Sequence, residues 1–197
     1  MLACGALAKE ILHLQSALGA DFDLQCLPAG YHNTPQKIVP AMKVILDRRG
    51  ADYDRILIGY GDCGTGGGLD RLLEDYPHAK RLPGAHCYAF FAGLPEFDAM
   101  MEEELGSFFL TDYLAAHFES LIWNGMGLDR HPDLLGIYFA NYKRVVYLTQ
   151  TDDDAITAKA KAAADKLGLK FEKRTTGYGL LQTGLTDLAR QKEPAHV

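Results

Sequence analysis

Apolar and polar positions along the chain repeat in short units. Each is a brief apolar run, a turn of small residues, then apolar residues three and four apart. That strand–turn–helix rhythm predicts an α/β protein with a mostly parallel sheet, because crossover helices must cover both faces of such a sheet. The expectation is one Rossmann-like three-layer sandwich over residues 1–190, with 191–197 as a frayed polar tail.

The first unit is short. Residues 1–3 end a strand, Cys4 and Gly5 turn, and 6–18 form a helix. Its Leu7, Ile11, Leu14 and Leu18 share one face, and Gly19 ends it. Residues 23–27 alternate as a second strand. A loop over 28–35 follows, with Thr34 placed as N-cap and Pro35 at the first position of a helix reaching Arg49. The clearest strand is 54–60, apolar enough for the middle of a sheet. It delivers a glycine-rich stretch, 61–68, and a helix over 69–76. Residues 80–84 are a short extended piece, and 85–93 a turn opening into a helix. Residues 106–110 lead into a helix over 111–123. A short helix at 132–141, a buried strand at 144–149, a helix over 152–167 and a last strand at 171–174 complete the pattern. Residues 176–181 read as a loop.

Composition narrows the function classes. The 197 residues carry 20 Lys plus Arg against 26 Asp plus Glu, a net charge of −6. A dispersed negative balance argues against nucleic acid, whose phosphates need a basic stripe. No apolar run reaches the roughly 18 residues of a membrane span. The first residues lack the basic flank and apolar stretch of a signal. The expectation is a cytoplasmic protein with reduced thiols.

Four cysteines then carry the chemistry. Cys4 and Cys63 follow strand ends and precede helices, and Cys87 follows an extended piece and precedes a helix. In a parallel sheet, sites form outside the carboxyl ends of the strands, and a thiol at a helix start is acidified. Three thiolates with an open fourth position suit catalytic zinc or a site-differentiated [4Fe-4S] cluster, and sulfur ligation does not choose between them. No two of them form a CxxC pair, and each can equally be a buried small hydrophobe. Cys26, between Leu24 and Leu27, is assigned to the core.

Five glycines in eight residues, 61–68, exceed the needs of a tight turn. The spacing is neither a Walker A loop nor GxGxxG, and no lysine follows. Amides at Gly64, Thr65, Gly66 and Gly67 suit the carboxylate or single phosphate of a small anionic substrate. Proton transfer falls to His32, Asp62, His86 or His131. Asp62 can instead orient a ligand, His86 cap a turn, His32 brace its loop, and His131 sit on the surface. Asp112 is expected to cap a helix, with His117 one turn later either pairing with it or packing. His13, His78 and His196 look like surface residues. Tyr88, Phe90, Phe91, Phe108 and Phe109 read as core aromatics.

Six segments carry a family resemblance: Cys4-Gly5-Ala6-Leu7; Gly59-Tyr60-Gly61-Asp62-Cys63-Gly64-Thr65-Gly66-Gly67; His86-Cys87-Tyr88-Ala89-Phe90-Phe91-Ala92-Gly93; Phe108-Phe109-Leu110-Thr111-Asp112; Gly127-Leu128-Asp129-Arg130-His131-Pro132; and Asn141-Tyr142-Lys143-Arg144-Val145-Val146-Tyr147-Leu148. Together they resemble the group catalogued as domain of unknown function 1638. The resemblance implies no activity. Some members are encoded near corrinoid-dependent methyltransferase systems, which suggests one-carbon metabolism and a corrinoid-protein partner.

The leading expectation is therefore a cytoplasmic metal-dependent enzyme, with Cys4, Cys63 and Cys87 as ligands of zinc or a [4Fe-4S] cluster. Its rivals are a metal-free enzyme with Cys63 or Cys87 as nucleophile, and a carrier or chaperone for a metal or corrinoid. A homodimer fits the aromatic content.

Overall fold

The computed structural model describes residues 1–190, so the expected frayed tail at 191–197 lies outside the described residues. In chain order the elements are β1 (Leu2–Cys4), α1 (Ala8–Ala17), β2 (Gln25–Leu27), α2 (Ile38–Arg49), β3 (Ile56–Gly59), α3 (Gly68–Leu73), β4 (Ala79–Arg81), α4 (Tyr88–Ala92), α5 (Leu94–Glu103), β5 (Ser107–Thr111), α6 (Asp112–Ala116), α7 (Leu135–Tyr138), β6 (Arg144–Thr149), α8 (Asp154–Leu167), β7 (Lys170–Thr175) and α9 (Gly179–Arg190). The class is α/β with parallel pairing, as the alternation predicts. The strands are shared between two sheets, ordered β2-β1-β3-β4 and β5-β6-β7. The chain divides into two compact units, Met1–Phe90 with the segment from Tyr178, and Phe91–Gly177. Among the described residues no helix is long and apolar enough to cross a membrane.

In the first unit β1 and β3 are the inner strands. Leu7, Ile11 and Leu14 of the first predicted helix are buried, as their spacing requires. Ile38, Met42 and Leu46 do the same for α2. Thr34 does not cap that helix: a 3-10 turn, Pro35–Lys37, intervenes and the Thr34 side chain makes no capping bond. Cys26 is only half-buried, because β2 is an edge strand.

Helix α9 was not expected, and its first turn overlaps a segment read as loop. Leu181 and Leu185, four apart, are its buried face. Gly184 brings it close: a Cβ there would meet Leu82 Cδ2 at 2.7 Å. The guanidinium of Arg55 donates to the Leu188 carbonyl at 3.2 Å.

In the second unit Val145 and Tyr147 of β6 pack with Ala160, Ala163, Ala164 and Leu167 of α8. Small residues on α8 allow the close approach. Asp153 caps it by accepting from the Ala155 and Ile156 amides, and Gly168 ends it with φ +71°. Strand β5 stands where only a lead-in was expected, because Phe109 and Leu110 pair with β6 and are buried. Helix α5, also unexpected, buries Phe97 and Met100. The predicted helix over 111–123 breaks: α6 stops at Ala116, and Glu119–Trp123 is a π-helical turn.

Asp112 is not the cap. Thr111 caps α6, accepting from the Leu114 amide at 3.3 Å. The buried Asp112 carboxylate instead accepts from Tyr147 Oη at 2.7 Å, the Gln150 amide at 3.2 Å, and the Thr151 amide and Oγ1 at 2.9 and 2.6 Å. Of the two readings for His117, packing holds: its ring stacks on Tyr113, centroids 4.2 Å apart.

Removing this carboxylate strands several buried donors, which is costly. Asp112→Ala is expected to destabilise the second unit by about 3 kcal/mol. Urea unfolding followed by the fluorescence of Trp123, the sole tryptophan, measures it, since Trp123 packs against that unit's core.

Candidate functional site

Parallel pairing places the carboxyl ends of β1, β2, β3 and β4 on one edge of the first sheet. Four loops leave from that edge. Cys4 ends β1 where the first begins, and the others carry His32, then Asp62 and Cys63, then His86 and Cys87.

Two of these loops are zipped together. The Asp62 amide donates to the Gly84 carbonyl at 3.0 Å, and the Cys63 amide to the Ala85 carbonyl at 2.8 Å. The approach is so close that a Cβ at Gly61 would lie 3.0 Å from Gly84 O and 3.1 Å from the His86 backbone nitrogen. Cys63 itself has φ +49°, the only non-glycine positive φ among the described residues. A side chain in that region costs roughly 1 kcal/mol.

The result is a thiol pair. Hydrogen bonding from Cys87 holds the Cys63 thiol below the ordinary cysteine range, against the opposing effect of burial. Cys87 is pushed well up, first by Cys63 and then by burial. Of the two, Cys63 is therefore the first to ionise and Cys87 the one that keeps its proton longer. Cys4 is raised, chiefly by burial, and feels the charge of Cys63. The pairing Ala3↔Gly59 makes Cys4 and Tyr60 the next neighbours in register, on one face of the sheet, with Ala3, Cys26 and Gly59 on the other. Cys26 therefore turns away from Cys4.

Asp62 serves its own loop. Its carboxylate accepts from Thr65 Oγ1 at 2.8 Å and from the Gly66 and Gly67 amides at 3.1 and 2.7 Å. Burial raises its pKa, but the Gly67 amide, the Thr65 hydroxyl and the Gly66 amide together bring it below the usual carboxylate range. The amides of Gly66 and Gly67, expected to meet a substrate anion, are occupied by this internal one. The Thr65 amide likewise donates to the Asp62 carbonyl at 3.0 Å. Gly64 stays exposed beside Pro35.

The His32 side chain reaches solvent, yet crowding by neighbouring atoms, and then nearby His86, lower its pKa. His86 is exposed, its ring 6.3 Å from that of Tyr88. His131 belongs to the second unit, exposed in the turn before Pro132. So the first sheet's edge gathers Cys4, Cys63 and Cys87 with the loops of His32, Asp62 and His86. Among the described residues, no three His, Cys, Asp or Glu side chains stand as a ready-made metal ligand set.

Tyr60 joins this edge without any motif to mark it in the sequence. Tyr60 is 2% exposed, and its hydroxyl is buried beside Cys4 without a hydrogen bond of normal geometry. Burial, then Cys4, push its pKa far up. The signal available was a tyrosine closing an otherwise apolar strand.

A family model described as "Protein of unknown function (DUF1638)" matches residues 26–185. The match includes Cys63 and Cys87, and Cys4 precedes it. No curated protein and no solved structure matches the chain.

Two substitutions test the local geometry. Gly61→Ala forces a Cβ against the 84–86 backbone, so it is expected to part the thiols and raise the Cys63 pKa towards the ordinary value. Thiolate absorbance in a pH titration of single-cysteine-difference variants follows this. Asp62→Asn is expected to cost about 1 kcal/mol at neutral pH. A carboxylate with a depressed folded pKa stabilises above its unfolded pKa and loses that contribution as pH falls through the folded one. The gap between Asp62→Asn and the parent should therefore close in acid, read from urea midpoints across pH.

Proposed function

The chain belongs to the DUF1638 family, and we propose that it is a thiol-dependent enzyme in which Cys63 attacks a small electrophilic substrate. The observation that carries this reading is the strained, hydrogen-bonded Cys63: φ +49° in the turn between β3 and α3, with Cys87 as its thiol partner. A nucleophile on a sharp strand-to-helix turn projects its reactive atom at the edge of the sheet. Gly61 and Gly64 flank it, as close packing and positive φ on that turn demand. The thiolate is the reactive form of cysteine, and a lowered pKa makes it more accessible at Cys63 than at an ordinary thiol. Cys87 holds a proton within reach for a leaving group. His32, kept neutral, has the charge state of a general base. Asp62, tied to its own loop, is left to hold the turn.

A second reading is favoured by one observation: Cys4 feels the charge of Cys63, and Cys87 feels that of both. Those three sulfurs are the donors that would hold zinc or a [4Fe-4S] cluster, and thiol protons leave when such a metal binds. When bound, the centre would polarise a substrate oxygen as a Lewis acid. A place in one-carbon metabolism, and a corrinoid-protein partner, rest on family resemblance and add no residue to the site.

Iodoacetamide alkylation with mass-spectrometric mapping tests the first reading. Cys63 is expected to react first at neutral pH, with a rate midpoint below that of an ordinary thiol. Cys87→Ser removes the largest cause of the lowering, so it should raise that midpoint towards the ordinary thiol value and slow labelling below it. Equal, slow labelling of all four thiols would overturn the proposal. Stoichiometric zinc or iron in anaerobically purified protein, lost in Cys63→Ser, would favour the second reading instead.

A further inference from the structure

Tyr60 has no part in the chemistry derived so far, yet its position is unusual. It follows β3 directly, three residues before Cys63 and beside Cys4 across the parallel register. It is 2% exposed, and its hydroxyl is among the few buried polar side-chain atoms in the described residues that lack a hydrogen-bond partner. Burying a hydroxyl without a partner is unfavourable, and phenylalanine would fill the same space without that cost. The Cys4 sulfur lies close enough to perturb the hydroxyl, but sulfur is a weak acceptor and no hydrogen bond of normal geometry joins the two. A hydroxyl held dry at the edge of a thiol site calls for an acceptor supplied from outside the chain.

We infer that Tyr60 is a substrate-binding residue whose hydroxyl donates to the carbonyl oxygen of an acyl substrate under attack by Cys63. The inference rests on the thiol-enzyme reading above and names its substrate class. A phenol is protonated at neutral pH, so Tyr60 acts as a donor and not as a base. A fixed neutral donor assists a reaction in which negative charge grows on oxygen. Addition to a carbonyl does this. Displacement at an alkyl carbon does not, and would leave Tyr60 idle.

The steps balance. The Cys63 thiolate adds to the carbonyl carbon, and the C=O π pair moves onto oxygen, which accepts the Tyr60 hydrogen bond. The pair returns, the bond to the leaving group breaks, and that group departs with the proton of Cys87. The acyl group is then a thioester on Cys63. Water hydrolyses it to the acid, returning one proton to Cys87 and the thiolate to Cys63.

The test compares two electrophiles on the full chain and on Tyr60→Phe. p-Nitrophenyl acetate reads acyl transfer through nitrophenolate release and the acetyl mass on Cys63. Iodoacetamide reads alkylation of the same sulfur. Tyr60→Phe is expected to slow acylation by about a hundredfold and to change alkylation by less than about twofold. Acylation unchanged, or both rates falling together, would overturn the inference while leaving a reactive Cys63 intact. A parent protein whose Cys63 reacts with neither reagent overturns the thiol-enzyme reading and this inference with it. Stability gives an independent readout. Tyr60→Phe should unfold at the same or a higher urea concentration, because it removes an unpartnered buried hydroxyl. A lower midpoint, or failure to fold, would mean that the hydroxyl is bonded within the chain, and would overturn the inference.

Discussion

Two backbone hydrogen bonds, from the Asp62 and Cys63 amides to the Gly84 and Ala85 carbonyls, decide where both thiols of the site stand. They extend the pairing of β3 with β4 beyond the strands themselves, into two loops. Everything near them follows. Gly61 must lack a Cβ, since the 84–86 backbone passes within about 3 Å of where one would be. Cys63 must turn with positive φ to leave the zipped segment. The Asp62 carboxylate then folds back onto Thr65, Gly66 and Gly67, so the turn holds its shape with its own anion. The strain at Cys63 is thus carried by bonds on both sides of it.

That same zip determines which sulfur ionises first. Two adjacent thiols in a poorly solvated place share one negative charge, because the second would meet both desolvation and repulsion. Cys63 ionises first, helped by the Cys87 thiol and by the Gly61 and Cys87 backbone. Cys87 keeps its proton longer. Cys4 stands close enough to feel the charge but lies on another strand, outside the zipped pair. Proximity in a parallel sheet is ordered by strand position, which gives the three cysteines unequal parts even though all follow strand ends.

Much of this was legible in the chain itself. The apolar runs of β3 and β6 and the helical spacing of apolar residues in α8 define those elements, and strand ends separate Cys4, Cys63 and Cys87 from Cys26. What escaped notice depends on partners distant in sequence. Strand β5 looks like a lead-in until it pairs with β6, more than thirty residues later. Helix α9 has a clear apolar face only against a unit that began at Met1. The glycine loop offered its amides to any anion, and only the fold reveals that the chain's own Asp62 takes two of them. Cys26 sits among leucines in sequence, yet an edge strand leaves it half-buried.

Tyrosine shows the same dependence most sharply. Each sheet buries one on an inner strand or directly after it: Tyr60 after β3, Tyr147 within β6. The two look alike in sequence, a phenol near the end of an apolar run. In the second unit the hydroxyl of Tyr147 is answered by Asp112, whose other lone pairs take the Gln150 and Thr151 donors, so the network is closed and holds the fold. Among the described residues of the first unit no carboxylate bonds to Tyr60 in that way, and the groups that act on its hydroxyl are thiols. A buried donor satisfied by the chain is a pin. A buried donor left open beside an activated thiolate stands where a substrate oxygen would complete it.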